Sequence, residues 1–205
     1  MGGHVELEPW AAWSPSEIAE RLDGVATRWA IAGGWAIDLF AGEISRAHDD
    51  LEVVVGPGGF GIVQRMLGEL EWFVVGDGQV TAIEIAGDLV ERTWQTWGWD
   101  PKIRAWRIDV MREPWTERTW RYRRNSDLGM PLDDAIRVTP GGIPYLSPEL
   151  VLLFKAKHRR KKDEGDFDRS VPLMEVERVA WLIAALEVVY PSHPWLTRLR
   201  ERVDQ

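Results

Sequence analysis

The sequence predicts an α+β fold: a mixed β-sheet core flanked by helices, followed by a helical C-terminal part. Three observations carry this. Residues 29–55 read as a short strand, a Gly-Gly turn, a helix, a loop and a second strand. Residues 71–146 hold a succession of strand signals punctuated by Gly and Pro turns. From Ser147 onward the apolar spacing is helical. The expected organisation is an α/β domain over residues 1–146 and a helical subdomain over residues 147–205.

The elements follow in order. Ser14-Pro15-Ser16-Glu17 is a helix start, with Ser14 as N-cap, Pro15 at the first helical position and Glu17 closing a capping box. That helix should run to about Leu22 and end at Asp23-Gly24. Residues 27–32 read as a strand broken by Gly33-Gly34, and residues 35–40 as a helix stopping near Gly42. Residues 51–55 (LEVVV) are a buried strand ended by Gly56-Pro57-Gly58-Gly59, and residues 60–70 have helical spacing. Residues 71–75 and 79–85 form a hairpin around Gly76-Asp77-Gly78, which residues 89–93 are expected to extend. Residues 103–111 are a strong strand with Trp106, Ile108 and Val110 on one face, and Ile103, Ala105, Arg107, Asp109 and Met111 on the other. Residues 120–124 read as an edge strand and residues 143–146 as a short one. A helix then begins at Ser147-Pro148 and runs through ELVLLFKAKHRR, a break is expected at residues 161–165, and residues 166–168 start a further helix or turn. Residues 176–189 are a long amphipathic helix, and a last short helix follows Pro194.

Composition narrows the function classes. The 205 residues are 45% hydrophobic and 28% charged, the balance of a globular protein. No apolar run reaches the roughly 18 residues that a membrane span needs. The start, MGGHVELEPW, lacks the basic and apolar regions of a signal peptide and the Ser or Thr of a myristoylation site, so a cytoplasmic location is expected. The absence of cysteine excludes disulfides, thiolate zinc sites and cysteine nucleophiles. The net charge of −8 argues against a nucleic-acid partner, although residues 155–162 form a local basic stretch. There are thirteen tryptophans, several of them between Thr93 and Trp120. Such a stretch suits core packing, the wall of a pocket, or a homodimer interface.

The chemistry concentrates in Trp29–Val55. Asp50 and Glu52 stand two positions apart at the start of a strand and so face the same side, where both can address one metal ion. Just upstream, the Gly33-Gly34 turn opens a helix, an arrangement in which backbone N–H groups can approach phosphate. An Arg-x-His loop, with Arg46 and His48, joins the two.

The stretch GGWAIDLFAGEISRAHDDLEVVV resembles the signature of the nucleotidyltransferase superfamily whose fold is shared with DNA polymerase beta. It is most similar to the aminoglycoside and lincosamide nucleotidyltransferase group, which shows Gly-Gly-Trp, an Asp in the helix, and Arg-x-His-x-Asp-x-Asp/Glu. Here these are Gly33, Gly34, Trp35, Asp38, Arg46, His48, Asp50 and Glu52. A second block, IPYLSPELVLLFKAKHRRKKDEGDF, resembles the group's Lys-bearing helix followed by Lys-Asp-x-x-Asp, on Lys155, Lys157, Lys162, Asp163 and Asp166. With the strand around Asp109, the resemblance covers residues 15–170. Two departures stand out. Trp35 replaces the Ser or Thr of many superfamily members, and Glu52 replaces the commoner Asp.

The resemblance implies a nucleotidyltransferase core and Mg²⁺-dependent transfer of a nucleoside monophosphate, AMP from ATP, to a hydroxyl of a small molecule, with release of pyrophosphate. The acceptor would be aminoglycoside- or lincosamide-like. Asp50 and Glu52 would be catalytic metal ligands. Asp109 is the choice for the third carboxylate, as ligand or base, with Glu84 and Glu91 as rivals. Gly33, Gly34, Arg46, His48, Lys155 and Lys157 would serve the triphosphate. Asp38 suits a structural role, and the basic stretch at residues 155–162 also suits a solvated helix end. The alternative readings are a toxin-like nucleotidyltransferase acting on tRNA or protein, and a degenerate, non-catalytic nucleotide-binding module.

Overall fold

A computed structural model of the chain describes residues 9–204. The targeting reading of MGGHVELEPW falls almost entirely on residues outside this range. Among the described residues no helix is long and apolar enough to cross a membrane.

The chain begins with α1 (Pro15–Arg21), and its start is the expected capping box: the Ser14 N–H donates to Glu17 Oε2 at 2.7 Å and the Glu17 N–H donates to Ser14 Oγ at 3.3 Å. Then come β1 (Trp29–Ile31), α2 (Gly33–Ala41), β2 (Glu52–Val55) and α3 (Gly59–Met66). The hairpin of β3 (Glu71–Gly76) and β4 (Gln79–Ala82) follows. The second strand stops short of its expected end, where Ile83–Ile85 form a 3₁₀ turn, and the residues expected to extend the hairpin form a short helix, α4 (Leu89–Arg92). The next strand, β5 (Gln95–Asp100), was not foreseen, and β6 (Ala105–Arg112) begins two residues later than expected.

The expected edge strand is β7 (Thr119–Tyr122), which pairs with an unforeseen partner, β8 (Asn125–Pro131). A single turn of helix, α5 (Leu132–Ala135), and two short strands, β9 (Ile136–Val138) and β10 (Pro144–Leu146), lead into the helices. These are α6 (Pro148–Lys155), α7 (Lys161–Ser170), α8 (Val176–Val189) and α9 (Trp195–Val203). The expected break at residues 161–165 is in fact the first half of α7, and the chain breaks earlier, over residues 156–160. A polar run reads as a loop, but Asp163 turns it into a helix start by accepting the Arg160 N–H at 2.9 Å.

The described chain divides into two compact units. Residues 9–29 and His48–Glu113 make the first. Ala30–Ala47 and residues 114–204 make the second. The first is a twisted sheet in the order β4-β3-β5-β6-β2, antiparallel except for the parallel pair β2/β6. Its core holds Ile18 and Leu22 of the α1 region, Val63 and Leu67 of the α3 region, and Val53, Val55, Val74, Ile108 and Val110 of the sheet. Gly98 is required there: a Cβ would stand 2.7 Å from Leu70 Cδ1 and 2.9 Å from Ile108 Cγ2.

In the second unit β10 pairs parallel to β1 and antiparallel to β9, and β7/β8 form a separate hairpin. Helix α6 carries an almost fully buried run, Leu150 to Leu153, and contacts α2, α7 and α8. Phe167 of α7 stacks on Trp195 of α9 with ring centroids 4.5 Å apart.

Candidate active site

Each unit carries a part of the expected constellation. In the first unit, β2 opens at Glu52 with Asp50 two residues upstream, and Glu52 is the register partner of Asp109 on β6. Asp109, the residue chosen as third carboxylate, thus lies on the strand adjacent to the acidic pair. The rivals do not: Glu84 is exposed in the 3₁₀ turn and Glu91 exposed in α4.

Asp50 and Glu52 are half-buried, whereas Asp109 is only 2% exposed. The Gln95 side-chain amide donates to Asp109 Oδ2 at 2.5 Å, and Asp109 Oδ1 has no hydrogen-bond partner among the described residues. Burial pushes the Asp109 carboxyl well above the usual carboxylate range, and the charges of Glu52 and Asp50 push it further, with the Gln95 amide and the Trp97 indole opposing them. Among the described residues no three His, Asp or Glu side chains are gathered as tightly as a formed metal centre. The donor set nevertheless fits a hard cation. It offers oxygen ligands only, one of them a buried carboxylate oxygen without a partner, and mutual repulsion that a divalent ion would relieve. His48 is half-buried on the segment leading into β2.

The second unit holds the glycines and the basic residues. Gly33 has φ +62°, a left-handed conformation natural to glycine, and the residue before it, Ala32, offers no side-chain cap to α2. At the other end of α2, Gly42 closes the helix with its N–H donating to the Asp38 carbonyl. The Asp38 carboxylate accepts from the Ser45 N–H at 3.1 Å and from its hydroxyl at 2.5 Å, which anchors the loop that bears Arg46. Asp38 thus bonds the Arg46 loop, the contact a structural role would make.

Arg46 Nη2 stands 3.6 Å from Asp166. Lys155, 8% exposed, places its ammonium 2.9 Å from Asp166 and 3.3 Å from Asp163, two carboxylates that are themselves buried. Arg169 lies 3.7 Å from both Asp166 and Asp38. Burial alone would raise the Asp163 carboxyl, but hydrogen bonds from Arg160 and the Lys155 charge outweigh it and hold the group below its ordinary value. Lys155 and Arg46 thus belong to one ion-pair network with Asp166, while Lys157 is exposed beyond the end of α6. Sequence reasoning missed Gln95, which no motif marks, and Arg169. It read Asp163 and Asp166 as caps of the following helix, which Asp163 is, but not as the partners of Lys155.

Residues 16–86, about a third of the chain, match the family model described as aminoglycoside-2''-adenylyltransferase. That span contains the glycine turn, Arg46, His48, Asp50 and Glu52. The fold is similar to that of ANT(2'')-Ia in complex with adenylyl-2''-tobramycin, with a TM-score of 0.57 and 16% identity over 85% of this chain and 95% of that one. The chain has the nucleotidyltransferase fold. The solution structure of ANT(2'')-Ia agrees, with a TM-score of 0.52 and 16% identity over 86% of this chain and 91% of that one. So does the lincomycin-bound lincosamide antibiotic adenylyltransferase LnuA, with a TM-score of 0.53 and 15% identity over 75% of this chain and 92% of that one. No curated protein matches the chain in sequence. Within the nucleotidyltransferase fold, the β2/β6 pair carries the acidic residues and α2 follows the glycine turn.

Proposed function

We propose that this protein is a nucleotidyltransferase that moves a nucleoside monophosphate, AMP from ATP, to a hydroxyl of a small molecule of the aminoglycoside or lincosamide kind. The observation that carries the reading is the register of Glu52 against buried Asp109, with Asp50 two residues upstream of Glu52. The family match over residues 16–86 supports it, because the acidic pair lies in the matched span.

In the reaction the acceptor oxygen bonds to the α-phosphorus, the bond to the bridging oxygen of pyrophosphate breaks, and the acceptor proton leaves to a base. Asp109 suits that last task by its position, buried and in register with Glu52, if it is not itself taken up as a metal ligand. Asp50, Glu52 and Asp109 would hold Mg²⁺, which when bound supplies positive charge against the phosphate oxygens. Gly33 and Gly34 present backbone N–H groups for the phosphates, with Arg46, His48 and Lys157 as further contacts. We assign Lys155 chiefly to holding Asp163 and Asp166, with its charge adding to the field on the triphosphate.

The test is pyrophosphate release from ATP with tobramycin or lincomycin as acceptor, with and without Mg²⁺, in the native protein and in the Asp50→Asn, Glu52→Gln double variant. Turnover should require the cation and fall by at least about a hundredfold in the variant. Undiminished turnover in a folded double variant overturns the reading.

A further inference from the structure

Asp109 has a neighbour on β5 that takes no part in the bond-making itself. Gln95 and Trp97 lie two positions apart on that strand, and Trp97 is the register partner of Asp109. Gln95, opposite Met111, is therefore the diagonal neighbour of Asp109 on the same face of the sheet. That diagonal is too wide for a short side chain and within reach of a long one. The Gln95 amide spans it and donates to Asp109 Oδ2 at 2.5 Å. An ionised carboxylate only accepts, so the amide turns its NH₂ group toward it.

The platform that carries this contact is fixed on both sides. β5 lies between β3 and β6, where Gln95 is the register partner of Val75 and of Met111. The Trp97 ring packs edge-on against Trp10 and Trp106, with centroids 5.3 Å away in each case. By simple alternation Trp106, three residues from Asp109, belongs on the opposite face, as the sequence pattern suggested. A register shift between Gly98 and Trp99 overturns that expectation and brings Trp106 to the face of Asp109. The indole beside Asp109 is thus wedged between two others, and Asp109 itself is buried.

Two features set the Gln95 contact apart from an ordinary structural hydrogen bond. First, the donor is neutral. Among the described residues no Lys, Arg or His pairs with Asp109, so the carboxylate is oriented without its charge being cancelled. Second, the contact is one-sided. Oδ2 is engaged, while Oδ1 is buried and has no hydrogen-bond partner among the described residues. A buried acceptor without a donor calls for a ligand from outside the chain. Glu52 stands in register with Asp109, and Asp50 lies two residues from Glu52, so the ligand that fits is a cation.

We propose that Gln95 is a positioning residue: by occupying Oδ2 it makes Oδ1 the oxygen that Asp109 presents to the divalent cation, together with Asp50 and Glu52. This rests on the nucleotidyltransferase reading and adds to it a residue that acts through Asp109 rather than on the reacting atoms.

The experiment is a titration of Mn²⁺, followed by electron paramagnetic resonance, as a probe of the cation site. It is run with the non-hydrolysable analogue α,β-methylene-ATP present, in the native protein and the Gln95→Met and Gln95→Asn variants. Met keeps the length of the side chain and loses the donor; Asn keeps the amide and is one methylene too short for the diagonal. The dissociation constant for Mn²⁺ should rise about tenfold to hundredfold in both variants, while affinity for the analogue at saturating Mn²⁺ stays within about threefold. A merely structural role for Gln95 gives the reverse, a lower melting temperature with Mn²⁺ affinity unchanged. Native-like Mn²⁺ affinity in either folded variant overturns the proposal and, with the analogue still bound, leaves the nucleotidyltransferase reading standing. Failure of the native protein to bind Mn²⁺ and the analogue brings both down.

Discussion

Replacing Lys155 with Met removes an ammonium from between two buried carboxylates, Asp163 and Asp166, 3.3 and 2.9 Å away. Breaking a buried ion pair by deleting one partner costs roughly 3–5 kcal/mol, because the remaining charge is left without compensation. Here the loss is smaller. Asp163 keeps the Arg160 guanidinium at 2.9 Å, and Asp166 keeps Arg46 at 3.6 Å and Arg169 at 3.7 Å, both too long for good hydrogen bonds. About 2–3 kcal/mol is the expected destabilisation, most of it from Asp166, which corresponds to roughly 5–10 °C in melting temperature for a chain of this size. The assay is thermal and urea unfolding of the native protein, Lys155→Met, and the double variant Lys155→Met, Asp166→Asn. Neutralising Asp166 in the Met background should recover at least about 1 kcal/mol, since it deletes the orphaned charge. ATP titration of the single variant shows how much of Lys155 also serves the nucleotide. A Lys155→Met variant within about 0.5 kcal/mol of the native protein, or a double variant no more stable than the single one, refutes the assignment of Lys155 to this network.

Two further outcomes follow from packing and protonation. Gly98→Ala should destabilise the protein by roughly 1–3 kcal/mol, because the added Cβ meets Leu70 and Ile108 below 3 Å in a packed core; urea unfolding measures it, and unchanged stability contradicts the close approach. His193 is buried and neutral in the fold: its Nδ1 accepts the Trp195 N–H at 3.2 Å and its Nε2 donates to the Ala156 carbonyl at 3.1 Å. Burial lowers its pKa below the ordinary 6.5, so the stability it contributes is present above pH 6.5 and is lost as the pH falls through the depressed value. Melting temperature should therefore decline between pH 7.5 and 5, with a shallower slope in His193→Asn, and equal slopes refute the role.

Local signals were legible wherever one short stretch carries its own physics. The Ser14–Glu17 capping box, the αL glycine at Gly42 and the apolar stripe of α8 are each written within a turn or two of chain. β5 was not legible, because Gly98 interrupts its alternation and its fitness as a strand lies in Trp72, Leu70 and Ile108 packed against it. Helix α7, KKDEGDFDRS, offers few apolar residues to read; it is held by Phe167 on Trp195 and by Asp163 and Asp166 on Lys155.

The same division holds for the site. Gly33-Gly34, Arg46, His48, Asp50 and Glu52 lie within twenty residues, so a single stretch of sequence marks them together as candidates. Which distant carboxylate joins the pair is a matter of strand order. Only the tertiary structure sets Asp109 beside Glu52, supplies Gln95 to hold it, and through one register shift turns Trp106 to the carboxylate face. Pairing between strands more than fifty residues apart is decided by the packing of the whole sheet, and no local period records it.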